Sequence, residues 1–185
     1  MDEFEAGVDR AIQYTTALGC PRVNCLAGIK PAALDAAVAH QTMIRNLRYA
    51  AARLDTAGIR LLIEPINTHD VPGFFLSSTE QAIDIVGGVG SDDLFLQFDM
   101  YHMHLMGENV ARAIERHAPR IDHIQLADAP GRHEPGTGEI DYPALFALID
   151  RIGYSGWVGC EYLPLVSTEA SFGWRPASAG AGIPR

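Results

Sequence analysis

The sequence predicts an α/β protein whose core is a parallel sheet of about five βα units. Segments with helical periodicity alternate along the 185 residues with short apolar runs. These runs indicate strands covered on both faces, because they are continuous rather than alternating with polar residues. A parallel neighbour is reached only through a crossover, which the intervening helix supplies. With 48% hydrophobic and 20% charged residues, the chain is expected to form one domain around one core.

Each predicted element follows from its local pattern. Helices are predicted over residues 4–18, 34–56, 79–86, 109–118 and 142–152. Strands are predicted for "RVNCLAG" up to Gly28, for residues 58–64, for "LFLQFD", for "IDHIQLAD" and for "GWVGCEY". The domain is expected to span residues 1–174, and the segment 175–185, rich in Gly, Ala and Pro, is expected to be a disordered tail.

A long loop, "DAPGRHEPGTGEIDYP", follows the fourth predicted strand. Loops at the carboxyl ends of parallel strands commonly carry the functional residues of α/β proteins. Arg132 in this loop is a candidate ligand for a substrate carboxylate, because a guanidinium can bind a planar anion through two donors at once. The alternative role for Arg132 is a surface salt bridge with Glu134.

Composition limits the classes of partner. The net charge of −9 and the lack of clustered Lys and Arg disfavour binding to nucleic acid or to an anionic membrane. A small molecule or another protein is therefore the expected partner. The three cysteines indicate reduced thiols, and neither a signal peptide nor a membrane-spanning apolar run is present in the sequence, so a cytoplasmic protein is expected.

Four polar residues fall at or near the ends of the last four predicted strands: Glu64, Asp99, Gln125 and Glu161. They are spaced by about one βα unit each, so the same end of the sheet should present all four side chains. If the sheet curves into a barrel, these side chains converge on its axis. Three carboxylates and an amide oxygen would repel one another without a cation, and an all-oxygen set suits Mg²⁺ or Mn²⁺.

Each of these residues also has a structural interpretation. Carboxylates at strand ends cap helices or pair with arginine, and Gln125 could satisfy neighbouring backbone groups. The regular placement of all four residues at strand ends, one βα unit apart, favours a metal site over these separate structural roles. His102, three residues beyond Asp99 in "FDMYHMH", is within reach of it.

The sequence lacks the motifs of several other enzyme classes. It contains no GxSxG elbow, no GxxxxGK[ST] loop, no HExxH pair and no GxGxxG between a strand and a helix. Serine hydrolases, P-loop nucleotide hydrolases, zinc proteases and dinucleotide-binding enzymes are therefore disfavoured.

The motifs "LLIEPIN", "QFDMYHM", "HIQLAD", "PGTGEIDY" and "GWVGCEY" resemble the hydroxypyruvate isomerase family of the xylose isomerase-like TIM-barrel superfamily. The resemblance extends from about residue 4 to residue 174. It implies a (β/α)8 TIM-barrel fold that is incomplete here, with five βα units present and the first three lacking. Leu163 stands where the family often has Lys.

The resemblance also implies roles for the site residues. It assigns a divalent metal, Mg²⁺ or Mn²⁺, to Glu64, Asp99, Gln125 and Glu161. Glu64 and Glu161 would in addition transfer protons, and His102 matches a substrate-facing histidine.

The implied reaction interconverts hydroxypyruvate and tartronate semialdehyde through an enediolate. A related 2-oxo-tetronate isomerase, a ketose 3-epimerase and a truncated, non-catalytic fragment of such an enzyme are the alternatives. Epimerases of the superfamily usually have His where Gln125 stands, which favours the isomerase. A DNA-repair endonuclease on this barrel would need more histidine ligands and a basic face. Unpaired strand edges in an incomplete barrel favour association of copies, so a homo-oligomer is expected.

Overall fold

A computed structural model describes residues 2–175, which form a five-stranded parallel sheet with helices between the strands. The strands are β1 (Arg22–Asn24), β2 (Arg60–Ile63), β3 (Leu94–Asp99), β4 (Ile121–Leu126) and β5 (Trp157–Cys160). The helices are α1 (Asp2–Leu18), α2 (Ala36–Thr56), α3 (Thr79–Val89), α4 (Met100–Leu105), α5 (Val110–His117) and α6 (Tyr142–Arg151). The sheet order is β1-β2-β3-β4-β5, with every pair parallel. The predicted fold class is thus confirmed.

The predicted boundaries differ from the observed ones where glycines or short helices intervene. β1 ends at Asn24 rather than at Gly28, whose φ of 76° is incompatible with a strand. α3 continues to Val89 before Gly90, with φ 72°, caps it. Helix α4 was not predicted, because six residues give too short a pattern to show a helical period. The predicted tail, residues 175–185, lies outside the described residues apart from Arg175, and the domain limits stay a prediction.

Side chains at helix starts explain why the helices begin where they do. In five helices a polar side chain just before the first turn accepts a hydrogen bond from a backbone N–H of that turn. These residues are Asp35, Ser78, Asp99, Asn109 and Asp141.

The two faces of the sheet differ in character. The outer face packs against the helices and supplies apolar residues to the core, among them Leu61, Ile63, Leu94, Leu96, Phe98, Ile124 and Leu126. Paired residues of parallel strands point to the same side, so the register Gln97↔His123, Asp99↔Gln125 and Gln125↔Gly159 defines an inner face with polar side chains. The inner face is therefore where a polar site can form.

The sheet is strongly curled. Asp122 in β4 pairs with Arg60 from β2 and also with Arg22 from β1. In a flat sheet, β1 and β4 would be ~14 Å apart, three strand spacings, which is beyond the combined reach of Arg and Asp side chains. The curl brings the inner-face residues of different strands together, as in part of a barrel.

β1 and β5 form the two edges of the described sheet. The inner-face residue Trp157 in β5 is 66% exposed there. Association of copies along these edges stays a prediction. Among residues 2–175, every helix is too short or too polar to cross a lipid bilayer.

The curl leads to a stability prediction for Asp122. Replacement by Ala leaves the two guanidinium groups that it binds without their shared acceptor, and we expect a loss of about 1–3 kcal/mol in the free energy of unfolding. Urea denaturation followed by circular dichroism measures it. Asp150→Ala, at an exposed position on α6, is the matched control and should change stability by less than about 0.5 kcal/mol. Equal effects of the two substitutions would contradict the role of Asp122.

Candidate active site

The four polar residues predicted at strand ends lie together at the carboxyl end of the sheet. Asp99 and Gln125 are paired across β3 and β4. Glu64 and Glu161 each lie one residue beyond the end of a strand. The backbone N–H of Glu161 donates to Leu126 O at 3.0 Å, which extends the β4–β5 pairing to this residue.

A chain of side-chain amides links two of the carboxylates across the inner face. Asn24 Nδ2 donates to Glu64 Oε2 at 2.6 Å, and Gln97 Nε2 donates to the same oxygen at 2.8 Å. Gln97 Nε2 also lies 2.5 Å from Gln125 Oε1, while Gln125 Nε2 donates to Glu161 Oε2 at 2.5 Å. When the carboxylates at the two ends are ionised they only accept, and they then determine the direction of every bond in the chain.

Asp99 is the most deeply buried of the three carboxylates in the site. It is 0% exposed, and its Oδ1 accepts from the backbone N–H of Tyr101 at 2.8 Å, which caps α4. Its Oδ2 is buried and has no hydrogen-bond partner among the described residues. His102 Nε2 lies 3.7 Å from this oxygen and Arg132 Nη2 lies 3.8 Å from it, both beyond hydrogen-bond distance. A buried carboxylate oxygen without a donor is costly, so this atom requires compensation.

Burial and mutual repulsion raise the proton affinity of two carboxylates. Burial, followed by the charge of Asp99, raises the pKa of Glu64 from 4.5 to about 7, although hydrogen bonds from Asn24 and Gln97 oppose the shift. Burial raises the pKa of Asp99 from 3.8 to about 6, against the effect of the Tyr101 N–H and Arg132. Without a further cation, both carboxylates therefore keep a proton to a higher pH than ordinary carboxylates do, and Glu64 titrates close to neutral pH.

Arg132 reaches this cluster from the long loop. Its Nη2 lies 3.1 Å from Glu161 Oε1, and its guanidinium lies 5.2 Å from the centre of the Tyr101 ring. Glu134, the alternative partner considered from the sequence, accepts instead from the backbone N–H of Leu165 at 3.0 Å. Arg132 is thus a residue of the site rather than of a surface ion pair with Glu134.

Asp128 organises the loop that carries Arg132. Its buried carboxylate accepts four backbone N–H groups: those of Ala129, Gly136, Gly138 and Ile140, at 2.7 to 3.1 Å. A Cβ at Gly138 would lie 2.0 Å from Ala129 O, so the backbone approach allows only glycine there. These contacts explain why the loop contains the segment "GTGEI", and they hold the loop in one conformation.

His102 is brought to the site from α4 and is neutral there. It is 2% exposed, and burial together with the nearby Arg132 lowers its pKa to about 4. One ligand atom each from Glu64, Asp99 and His102 lie within 4.8 Å of one another. The unpartnered oxygen of Asp99 and the oxygen-rich surroundings fit a hard divalent cation.

Three residues of this region were not predicted from the sequence: Asn24, Gln97 and Asn67. Gln97 precedes Asp99 by two residues and so lies on the same face of β3, a signal that strand alternation could have supplied. Asn24 and Asn67 carry no local signal, because their roles depend on side chains distant in sequence.

Comparison with known proteins identifies relatives of this chain. The family model described as "xylose isomerase-like TIM barrel" matches residues 2–176. Hydroxypyruvate isomerase from Escherichia coli K12 is 47% identical over 173 residues, which are 94% of this chain and 67% of the relative. A 2-oxo-tetronate isomerase from Cupriavidus necator is 42% identical over 93% of this chain and 66% of its own length.

A solved structure is also closely similar. The crystal structure described as an AP endonuclease, family 2, from Brucella melitensis superimposes with a TM-score of 0.90 at 40% identity, covering 94% of this chain and 67% of that chain. The chain spans about two thirds of the length of the curated relatives that it matches. From the family match and these identities, the chain belongs to the xylose isomerase-like TIM barrel family.

Proposed function

We propose that this protein is a divalent-metal-dependent isomerase that interconverts hydroxypyruvate and tartronate semialdehyde. The observation that carries the proposal is the fully buried Oδ2 of Asp99, which has no hydrogen-bond partner among residues 2–175 and lies beside Glu64 and Glu161. Isomerases of small oxo acids among the relatives, at 47% and 42% identity, supply the reaction class.

The proposed ligands are Glu64, Asp99, Gln125 and Glu161, with Mg²⁺ or Mn²⁺ as the ion. Ligation by Gln125 means that its Oε1 exchanges the bond from Gln97 for one to the ion. A divalent cation bound there would stabilise the negative charge that develops on the substrate oxygens as a carbon-bound proton leaves.

The charges of the site support a divalent rather than a monovalent ion. Three ionised carboxylates and the guanidinium of Arg132 leave two negative charges in excess, while His102 is neutral. One divalent cation balances them. Such balance would also return the raised pKa values of Glu64 and Asp99 towards their ordinary range.

The proton transfers are assigned to Glu64 and Glu161. One carboxylate removes a proton from C3 of hydroxypyruvate, which produces the enediolate, and a proton is then delivered to C2. The remaining proton moves from the C3 oxygen to the C2 oxygen. Arg132 would bind the substrate carboxylate, and His102 would hydrogen-bond a substrate oxygen.

A 2-oxo-tetronate is the second candidate substrate, on the strength of the 42% identical relative of that name. The same carboxylates and Arg132 would serve it, because the two substrates share the oxo-acid end. Nucleic acid is not proposed as a substrate despite the description of the Brucella structure, since the net charge of −9 disfavours a polyanion.

The test is an isomerase assay of the 185-residue chain with hydroxypyruvate and added Mg²⁺ or Mn²⁺, and E. coli hydroxypyruvate isomerase as the positive control. Metal-dependent turnover is expected. Mn²⁺ binding without turnover of either oxo acid would favour the non-catalytic alternative, and no Mn²⁺ binding would overturn the proposed metal site.

Replacement of either proposed proton-transfer residue by Gln should abolish most activity. Glu64→Gln and Glu161→Gln keep the shape of the side chain but remove the base, so kcat should fall by ~10²–10⁴. Steady-state kinetics at saturating metal measures the loss, with the exposed Glu3→Gln on α1 as the control. Near-normal kcat in Glu161→Gln would rule out its assigned role.

The stability of the metal-free protein should depend on pH through Glu64. The folded pKa, about 7, exceeds the ordinary 4.5, so the folded state binds the proton more tightly than the unfolded state does. The associated stability is present below about pH 4.5 and is lost as the pH rises through about 7.

Glu64→Gln removes this titration and should raise Tm relative to the parent by several degrees above neutral pH but not at acidic pH. Thermal melts in EDTA from acidic to alkaline pH give the difference, and Glu3→Gln is again the control. A difference independent of pH would contradict the electrostatic cause. Added Mg²⁺ should remove the advantage of the variant.

Arg132→Gln should separate substrate binding from metal binding. Loss of the charged partner of the substrate carboxylate should raise KM by about 10–100-fold. Mn²⁺ affinity should stay the same or increase, since the guanidinium neutralises the carboxylates that the ion needs. Kinetics and calorimetry measure the two effects, with the exposed Arg151→Gln as control. Weaker Mn²⁺ binding with unchanged KM would show that Arg132 acts on the metal site alone.

A further inference from the structure

Asn67 lies in the loop that follows β2 and is 0% exposed. Its Oδ1 accepts hydrogen bonds from the backbone N–H groups of His69 at 3.0 Å and Asp70 at 2.7 Å. Backbone N–H groups only donate, so the oxygen end of this amide is unambiguous. The other end, Nδ2, is therefore a donor.

The Nδ2 of Asn67 lies 2.7 Å from His102 Nδ1. Because the amide nitrogen only donates, Nδ1 of the imidazole must accept and must carry a lone pair. A neutral imidazole with a lone pair on Nδ1 carries its hydrogen on Nε2. The contact thus selects one of the two tautomers of His102.

Further contacts keep Asn67 in this orientation. Its Nδ2 also lies 3.0 Å from Asp70 Oδ2, which in turn accepts from the Tyr101 hydroxyl at 2.9 Å. The ring of Tyr101 packs against the imidazole of His102 with 5.4 Å between centroids. Rotation of the Asn67 amide by half a turn would break four hydrogen bonds, so the amide is held firmly.

The tautomer determines what His102 can do in the site. Its Nε2 lies 3.7 Å from Asp99 Oδ2, at the centre of the carboxylate cluster. A nitrogen that carries a hydrogen has no lone pair for a metal ion but can donate to an oxygen. His102 therefore differs in kind from Glu64 and Asp99, although ligand atoms of all three lie within 4.8 Å of one another.

We propose that Asn67 is a positioning residue that holds His102 as the Nε2–H tautomer, so that His102 donates a hydrogen bond to a substrate oxygen and does not bind the metal ion. The part that concerns substrate rests on the proposed function; the tautomer itself does not. Asn67 thereby acts on the substrate through His102.

Nitrogen-15 NMR of the full, uniformly labelled chain tests the tautomer at about pH 8, above the ordinary titration range of histidine. His102 should show a pyridine-type Nδ1 and a pyrrole-type Nε2. His133 is an internal control of opposite sense, because its Nδ1 lies 2.7 Å from Leu163 O, a carbonyl that can only accept. A pyrrole-type Nδ1 on His102 would overturn the proposal.

Asn67→Asp tests whether this residue is the cause. The new carboxylate can accept from the same backbone N–H groups but cannot donate, so the hydrogen of His102 should move to Nδ1. Asn109→Asp, which retains the cap of α5, is the matched control and should leave the His102 signals unchanged. A folded Asn67→Asp protein that keeps the Nε2–H tautomer would refute the role of Asn67. If the variant does not fold, the spectrum of the parent protein still decides the tautomer.

Calorimetry with Mn²⁺ tests whether His102 is a ligand of the metal ion. His102→Gln should bind Mn²⁺ within about twofold of the parent, whereas Asp99→Asn should weaken binding by about tenfold or more, since even outer partners of metal ligands have effects of that size. A comparable loss in His102→Gln would make it a ligand and overturn the proposal. If the proposed function fails because the parent binds no Mn²⁺, the NMR result still decides the tautomer.

Discussion

The convergence of three carboxylates, of which Glu64 and Asp99 are buried and Glu161 is exposed, is the constraint on which the rest of the site depends. Parallel strands that curl into part of a barrel bring Glu64, Asp99 and Glu161 together, and burial strengthens their repulsion. Amides of Asn24 and Gln97 stabilise one carboxylate, and Arg132 approaches the other two. Because Asp99 Oδ2 still has no donor among the described residues, the protein offers a position that a cation would stabilise.

The curl that creates this corner is itself held by charge at the opposite end of the sheet. There one carboxylate, Asp122, binds two arginines from other strands. The charge ratio in the site is the opposite, because three carboxylates there share one guanidinium. The two clusters lie on the same face of the sheet and are separated by the length of the strands. Side chains near the amino ends of the strands thus help to set the distances between those at the carboxyl ends.

Sequence reasoning predicted the parallel sheet and the four strand-end residues, because both depend on local patterns: apolar runs, helical periods and polar residues at regular spacing. It did not predict α4, whose six residues are stabilised by the side chain of Asp99, nor the amides that bridge the carboxylates. Asn24 and Glu64 are 40 residues apart, and their contact exists only once β1 and β2 have paired. Such contacts have no local signature, and strand alternation marks Gln97 alone among the missed residues.

The backbone of Arg132 shows how the loop serves the site. Its φ of 57° is unusual for a residue with a Cβ and costs roughly 1–2 kcal/mol. Two backbone hydrogen bonds of 2.7 Å hold the backbone in this conformation: Leu163 N–H donates to Arg132 O, and Asp128 N–H donates to His133 O. The strained backbone directs the guanidinium at the carboxylates. Since Leu163 contributes through its backbone N–H while its side chain is exposed, the loop is held in the same way whatever side chain stands at this position.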